Sequence, residues 1–148
     1  MSGFLLDTNV PSETLRPRPN ANVSAWIKRQ PKDVQFLSVV SVGELRRGFI
    51  LMPPGRQRTR LEQWLEQDLL PLFAGRILPV TLSIGDRWGV LDAQRQLRGR
   101  PLNTADGMIA ATALEHGLTV VTRNVKDFSD LGLSVLNPWD AIWRMGED

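Results

Sequence analysis

Five short apolar or β-branched runs punctuate this chain, and each is too short to be a helix: Gly3-Phe4-Leu5-Leu6, Val34 to Ser38, Ile77 to Val80, Thr119-Val120-Val121-Thr122, and Ser134 to Leu136. Between them the apolar residues recur at helical spacing. Asn20 to Gln30 puts Val23, Trp26 and Ile27 on one face. Ser41 is expected to open a helix carrying Val42, Leu45, Phe49 and Met52, which Pro53-Pro54-Gly55 stops. A long helix follows with Leu61, Trp64, Leu65, Asp68 and Leu69 in register, then another from Ser83 to about Gly99. Asn103 or Thr104 caps the next, whose Ile109, Ala110, Ala113 and Leu114 face inward and which Gly117 ends. A last short helix follows Pro138-Trp139. Strands alternating with helices predict an α/β fold, a three-layer α/β/α sandwich with a mostly parallel central sheet. Its 148 residues suit a single domain, 1–148, and no repeat, low-complexity tract or linker divides it.

In parallel sheets covered by helices, ligands bind beyond the carboxyl ends of the strands. Asp7 stands at one such end and the segment after Thr122 at another, so both are expected near one site. Two further acids, Glu44 and Asp106, lie in early helical turns, and Asp127 follows Thr122 closely. Each has an ordinary explanation as a cap, a dipole partner or a turn residue. Their settings argue for more. Asp7 emerges from Phe4-Leu5-Leu6, Glu44 is flanked by Val42 and Leu45, and Asp106 shares a helix face with Ala110 and Ala113. Acids bordered by core residues are costly unless paired or metal-bound. Four gathered carboxylates repel one another, and a hard divalent cation relieves that repulsion. Cys is absent, and the single His, His116 beside Gly117, reads as a helix C-terminal residue, so soft or nitrogen ligation is not expected.

Charge adds to this. There are 18 Lys+Arg against 16 Asp+Glu, a formal +2; with four acids committed to one site, the remainder of the chain is distinctly basic. An acidic pocket in a basic exterior suits a polyanionic substrate. Arg56-Arg58-Arg60 and Arg95-Arg98-Arg100 are candidates to track a phosphate backbone, with a solvated helix face as the alternative. The five Trp are assigned to packing. No apolar run approaches the ~20 residues of a membrane span, and no signal peptide is expected. A cytoplasmic protein is the expectation.

Four segments then carry a resemblance: Phe4-Leu5-Leu6-Asp7-Thr8-Asn9-Val10, Ser41-Val42-Gly43-Glu44-Leu45, Ala105-Asp106-Gly107-Met108-Ile109-Ala110-Ala111-Thr112-Ala113, and Val121-Thr122-Arg123-Asn124-Val125-Lys126-Asp127-Phe128. In order, they resemble the signature blocks of the PIN-domain family, and most closely its VapC-type and FitB-like toxins. Leu70 to Pro79 and the terminal Asn137-Pro138-Trp139 also look FitB-like. The resemblance implies a PIN-like sandwich and a metal-dependent endoribonuclease that uses Mg²⁺ or Mn²⁺. It implies Asp7, Glu44, Asp106 and Asp127 as the metal-binding, catalytic acids. The fourth position has two candidates: some relatives carry the acid where this chain has Asn124, others where it has Asp127. Thr8, Asn9 and Thr122 match supporting polar positions, as carboxylate or water orienters or as local turn residues. An RNA substrate, a cognate antitoxin and a homodimer are implied as partners. The antitoxin's apolar helix is expected beside the helices from Ser41 to Met52 and from Arg56 to Leu70. Two other readings stand beside this one. A regulatory or RNA-binding module without catalysis is disfavoured by the intact acid set. An aspartyl-phosphate enzyme built on Asp7 is disfavoured by Asn9, where that chemistry wants a second Asp. A housekeeping nuclease of the same family remains a further alternative.

Overall fold

A computed structural model describes residues 3–146 of the chain. Five strands, β1 (Phe4–Leu6), β2 (Gln35–Ser38), β3 (Ile77–Leu78), β4 (Thr119–Val121) and β5 (Val135–Leu136), form one sheet in the order β3-β2-β1-β4-β5. Every pairing is parallel, from Phe4 opposite Gln35 and Thr119 at the centre to Val120 opposite Val135 at the edge. The expected mostly parallel sheet is therefore parallel throughout. The strands step outward from β1 in one direction through β2 and β3, then reverse to β4 and β5. That reversal opens a crevice beyond the carboxyl ends of β1 and β4.

Strand pleating sorts the core into two layers. Leu5 and Val120 face one side, with Ile84, Leu91, Ile109, Ala110 and Ala113 packed over them. Leu6 and Val121 face the other, under Val10, Trp26, Leu45, Phe49, Leu65 and Phe73. The first side is covered by α6 (Leu82–Leu97) and α7 (Thr104–His116). The second is covered by α1 (Asn9–Glu13), α2 (Ala21–Arg29), α3 (Val39–Leu51) and α4 (Arg56–Gln63). α4 widens into a π-helical stretch, Trp64–Leu69, before α5 (Leu70–Leu72). Pro71 has no N–H to return along the helix, which weakens regular α bonding there. The three layers are those expected from the sequence.

Local chemistry decides where the helices begin. Asn20 caps α2, its side chain accepting from the N–H groups of Asn22 and Val23. Asn103, not Thr104, caps α7. Gly117 ends α7 in the left-handed region, at φ 65°. The start of α3 differs from expectation. Ser38 is the cap, its Oγ accepting from the Val40 N–H at 3.0 Å, and the helix begins at Val39 rather than Ser41. Ser38 ends β2 with extended backbone, so strand passes into helix without a loop and Ser41 is buried inside the first turn. β3 is shorter than expected because Pro79 cannot donate to the ladder. The five-residue α1 was not expected: its Asp7-Thr8-Asn9 entry reads as a simple turn.

Candidate active site

The centre of the site is Asp7. Its N–H completes the ladder to the Val121 carbonyl at 2.9 Å, and its side chain, 6% exposed, sits at the reversal point between β1 and β4. Oδ1 accepts from the Thr8 N–H at 2.8 Å and Oδ2 from the Thr122 hydroxyl at 2.7 Å. Thr122 Oγ1 in turn accepts from the Asn124 N–H at 3.0 Å and the Asn9 amide at 3.4 Å. Asn9 Oδ1 accepts from the Arg123 N–H at 3.4 Å. The loops after two neighbouring strands are thus tied together around one carboxylate.

Thr8 carries the arrangement outward. Its hydroxyl donates to Glu44 Oε1 at 2.6 Å, so one residue bridges Asp7 to a carboxylate on α3. Asp106 enters from the first turn of α7, where Asn103 Oδ1 accepts its N–H at 3.3 Å. Asp7, Glu44 and Asp106 line an open cleft of about 500 Å³, with Thr8, Asn9 and Asn124 on its wall. Asp127, on the 3-10 turn Val125–Phe128, lines an adjoining recess instead, beside Arg123 and Asn124. Its charge still reaches both Asp7 and Asp106. Of the two residues weighed for the fourth position, Asn124 is on the cleft wall and Asp127 acts across the field.

The electrostatics follow from this crowding. Burial raises the Asp7 carboxyl above its ordinary range; the bonds from Thr122 and Thr8 pull it back, and the charges of Glu44 and Asp127 push it up again. Asp106 is pushed up to about 7, first by burial and then by Asp7, Asp127 and Glu44. Asp7 thus feels the charges of Glu44 and Asp127, and Asp106 those of the other three acids. Among the described residues, no three acidic, His or Cys side chains form a group able to hold an ion unaided. What converges is oxygen donors and excess negative charge, and His116 lies at the far end of α7. Such a set suits a hard cation that keeps part of its water shell and takes one or two carboxylates directly.

A pH experiment isolates the repulsion. A carboxyl whose pKa is higher in the folded than in the unfolded chain stabilises the fold when protonated. That stabilisation is complete below the unfolded value of 3.8 and is lost as pH rises through about 7. In EDTA, Asp106→Asn should therefore unfold at higher urea than the parent protein at pH 8. The advantage is about 1–2 kcal/mol once solvent screening of this half-buried group is allowed for. It should shrink steadily toward pH 4. A constant difference across that range would mean that the charge of Asp106 is not what destabilises the fold.

Several cleft residues are absent from the sequence-based expectation. Glu13 is buried on the cleft wall, its Oε2 accepting from the Asn20 N–H at 2.8 Å and its Oε1 paired with Arg16 at 3.4 Å. Arg16, Arg123 and Trp139 complete the rim. The available signals were the adjacency of Arg123 to Thr122 and the place of Trp139 in the terminal Asn137-Pro138-Trp139 segment. Within the two arginine segments, Arg95 departs from the expectation, and Arg58 and Arg100 are paired with acids. Arg95 is buried and donates to the carbonyls of Arg100 and Ser129, each at 2.9 Å, which ties α6 to the chain just after Asp127. Arg58 is paired with Glu62 at 2.9 Å and Arg100 with Asp130 at 2.5 Å. The Trp assignment holds: Trp26 is core, Trp88 packs against one layer and Trp64, Trp139 and Trp143 against the other, while Trp139 also reaches the cleft rim.

Comparison with known proteins agrees with this geometry. Residues 4–132 match the sequence profile of the PIN domain. The chain is 43% identical to a VapC ribonuclease, Y4jK, of Sinorhizobium fredii, over 93% of this chain and 98% of the relative. It is 44% identical to the toxin FitB of Neisseria gonorrhoeae, over 92% and 98%. Its fold superposes with a TM-score of 0.86 on a chain in a solved structure of FitAB bound to an IR36 DNA fragment, at 41% identity, covering 93% of this chain and 96% of that one.

Proposed function

The chain belongs to the PIN-domain family, and on that premise we propose that it is a Mg²⁺-dependent endoribonuclease and the toxin of a toxin–antitoxin pair. The observation that carries the reading is that Asp7, Glu44 and Asp106 line one cleft at the reversal point of the sheet, with the charge of Asp127 reaching Asp7 and Asp106 from the adjoining recess. Their mutual repulsion is the standing demand for a cation. Asp7, Glu44, Asp106 and Asp127 would hold the ion in this reading, with Asn124 as a neutral oxygen donor beside them. Bound there, Mg²⁺ or Mn²⁺ supplies positive charge and Lewis acidity against the scissile phosphate. The protein's own part is positioning. Thr122 and Thr8 fix the Asp7 carboxylate, Thr8 sets Glu44, and the Asn103 cap sets the start of α7 under Asp106.

The names of the relatives, a ribonuclease and a toxin, support the activity and the biological role. The antitoxin reading draws on the FitAB structure that the fold matches and on a groove of about 600 Å³ beside α4, where Leu15, Pro17, Leu61 and Trp64 are rimmed by the polar Gln57, Arg60, Gln63, Gln67 and Asp68. An amphipathic helix fits such a groove, and a cationic side chain, best Arg, would neutralise the carboxylates from the cleft mouth. A homodimer is the quaternary state of this reading; α6 leaves Leu82, Val90 and Leu97 exposed for a second copy.

Expression of the chain alone should arrest growth, Asp106→Ala should relieve the arrest, and the product of the adjacent gene should restore growth and co-purify with the protein. Light scattering of the purified chain should give twice its mass. Harmless expression together with no divalent-dependent cleavage of RNA would end the reading.

A further inference from the structure

A nuclease cleft lined by acids must draw in a polyanion, and something other than the carboxylates must seat it. On the rim of this cleft stands one aromatic side chain, Trp139. Its backbone is held on both sides. The Trp139 N–H donates to Asn137 Oδ1 at 2.9 Å, and its carbonyl accepts from the Asn22 amide of α2 at 3.0 Å. Pro138 before it is buried. The ring is therefore presented on a fixed main chain. Over it lies the Arg123 guanidinium, 5.4 Å from the ring centroid. Arg123 is exposed and follows Thr122, which bonds the Asp7 carboxylate.

We propose that Trp139 and Arg123 form a nucleotide subsite, in which an unpaired base of single-stranded RNA stacks on the indole while the guanidinium binds that nucleotide's phosphate. The proposal rests on the ribonuclease reading and gives it a substrate form. A duplex cannot present a base to a rim-mounted ring without unstacking it, whereas a loop or single strand can. The base replaces the guanidinium on the ring, and Arg123 turns outward to the phosphate. Because Trp139, Arg123 and the carboxylates line the same cleft, a nucleotide bound there sets register as well as affinity.

The test uses single-stranded RNA dodecamers carrying one 2-aminopurine, mixed with the full chain in EDTA so that binding is read without cleavage. Trp139 also packs against its own layer, so the informative pair is Trp139→Phe and Trp139→Leu, both of which fill space. The parent protein and Trp139→Phe should quench the 2-aminopurine. Trp139→Leu should lose the quench and bind about 5- to 150-fold more weakly, the range for one stacked base. Arg123→Gln should weaken binding and lower the slope of log Kd against log salt by about 0.7. With divalent ion present, the Trp139→Leu loss should fall more on KM than on kcat, as for an interaction made equally before and during reaction. If the parent protein cleaves RNA but Trp139→Leu binds and quenches as Trp139→Phe does, the subsite is wrong and the ribonuclease reading stands. If the parent protein cleaves no RNA with any divalent ion, the underlying reading has failed instead.

Discussion

Asp7→Asn should reduce divalent-dependent RNA cleavage at least 100-fold while leaving the fold intact. The substitution keeps the volume of the group and the Thr8 N–H bond to its oxygen, while the amide nitrogen in place of Oδ2 must donate to the Thr122 hydroxyl instead of accepting from it. It removes the charge from which a cation at this site would gain most, in the position where burial makes that charge strongest. For the same reason the metal-free variant should melt no lower than the parent protein, because one member of a repelling set has been neutralised. Melting in EDTA and turnover on a defined RNA test both halves. Activity within a few-fold of the parent would remove Asp7 from the chemistry. A large loss of stability would show that the carboxylate is held by its hydrogen bonds more strongly than it is repelled.

Gly107→Val should destabilise the protein by about 3 kcal/mol through overpacking. For a domain of this size that lowers the melting temperature by about 6–12 °C. A Cβ on residue 107 would lie 2.7 Å from Trp88 Cδ1, 2.9 Å from its Nε1 and 3.0 Å from Leu102 Cδ2. The indole cannot bend away like a long chain, and it fills the seam between α6 and α7. The two helices must separate, and Asp106, next to the glycine, moves with them. Activity should therefore fall beyond what the lost folded fraction explains. Gly107→Ala should lie between the two, because alanine's better helix propensity returns about 1 kcal/mol of its smaller overlap. A Gly107→Val protein that melts with the parent would mean that Trp88 yields cheaply, and the packing argument would fail.

The sequence was most informative where chemistry is local. Apolar runs ending in Asp7 and Thr122 marked the strand ends, and the general rule for parallel sheets then predicted that they share a site. Asn20, Asn103 and Gly117 marked helix ends through capping and left-handed backbone. Ser38 was passed over for Ser41 because no loop separates β2 from α3, and a strand residue does not look like a cap. What local pattern does not carry is strand order. Only the placement of β4 beside β1 brings Arg123 and Trp139 to Asp7, and only the fold turns Arg95 inward. An arginine that binds buried carbonyls and one that binds phosphate have the same sequence signature until the chain is folded. Glu13 was missed for a related reason: α1 is five residues long, below the length at which periodicity speaks.

The bond from Thr122 to Asp7 spans 115 residues of chain. Synthesis adds residues from the N-terminus at about 5–20 per second, so for most of translation Asp7 exists without the strand that holds it. A nascent chain ending before β4 already carries Asp7, Glu44 and Asp106 but lacks the wall that joins them. Premature termination or proteolysis before residue 119 thus yields fragments with the acids and no assembled site. Closing so long a loop is also slow relative to forming the helices, which makes the pairing of β1 with β4 a late event in folding. The same connectivity that gathers the carboxylates also sets when they can first meet.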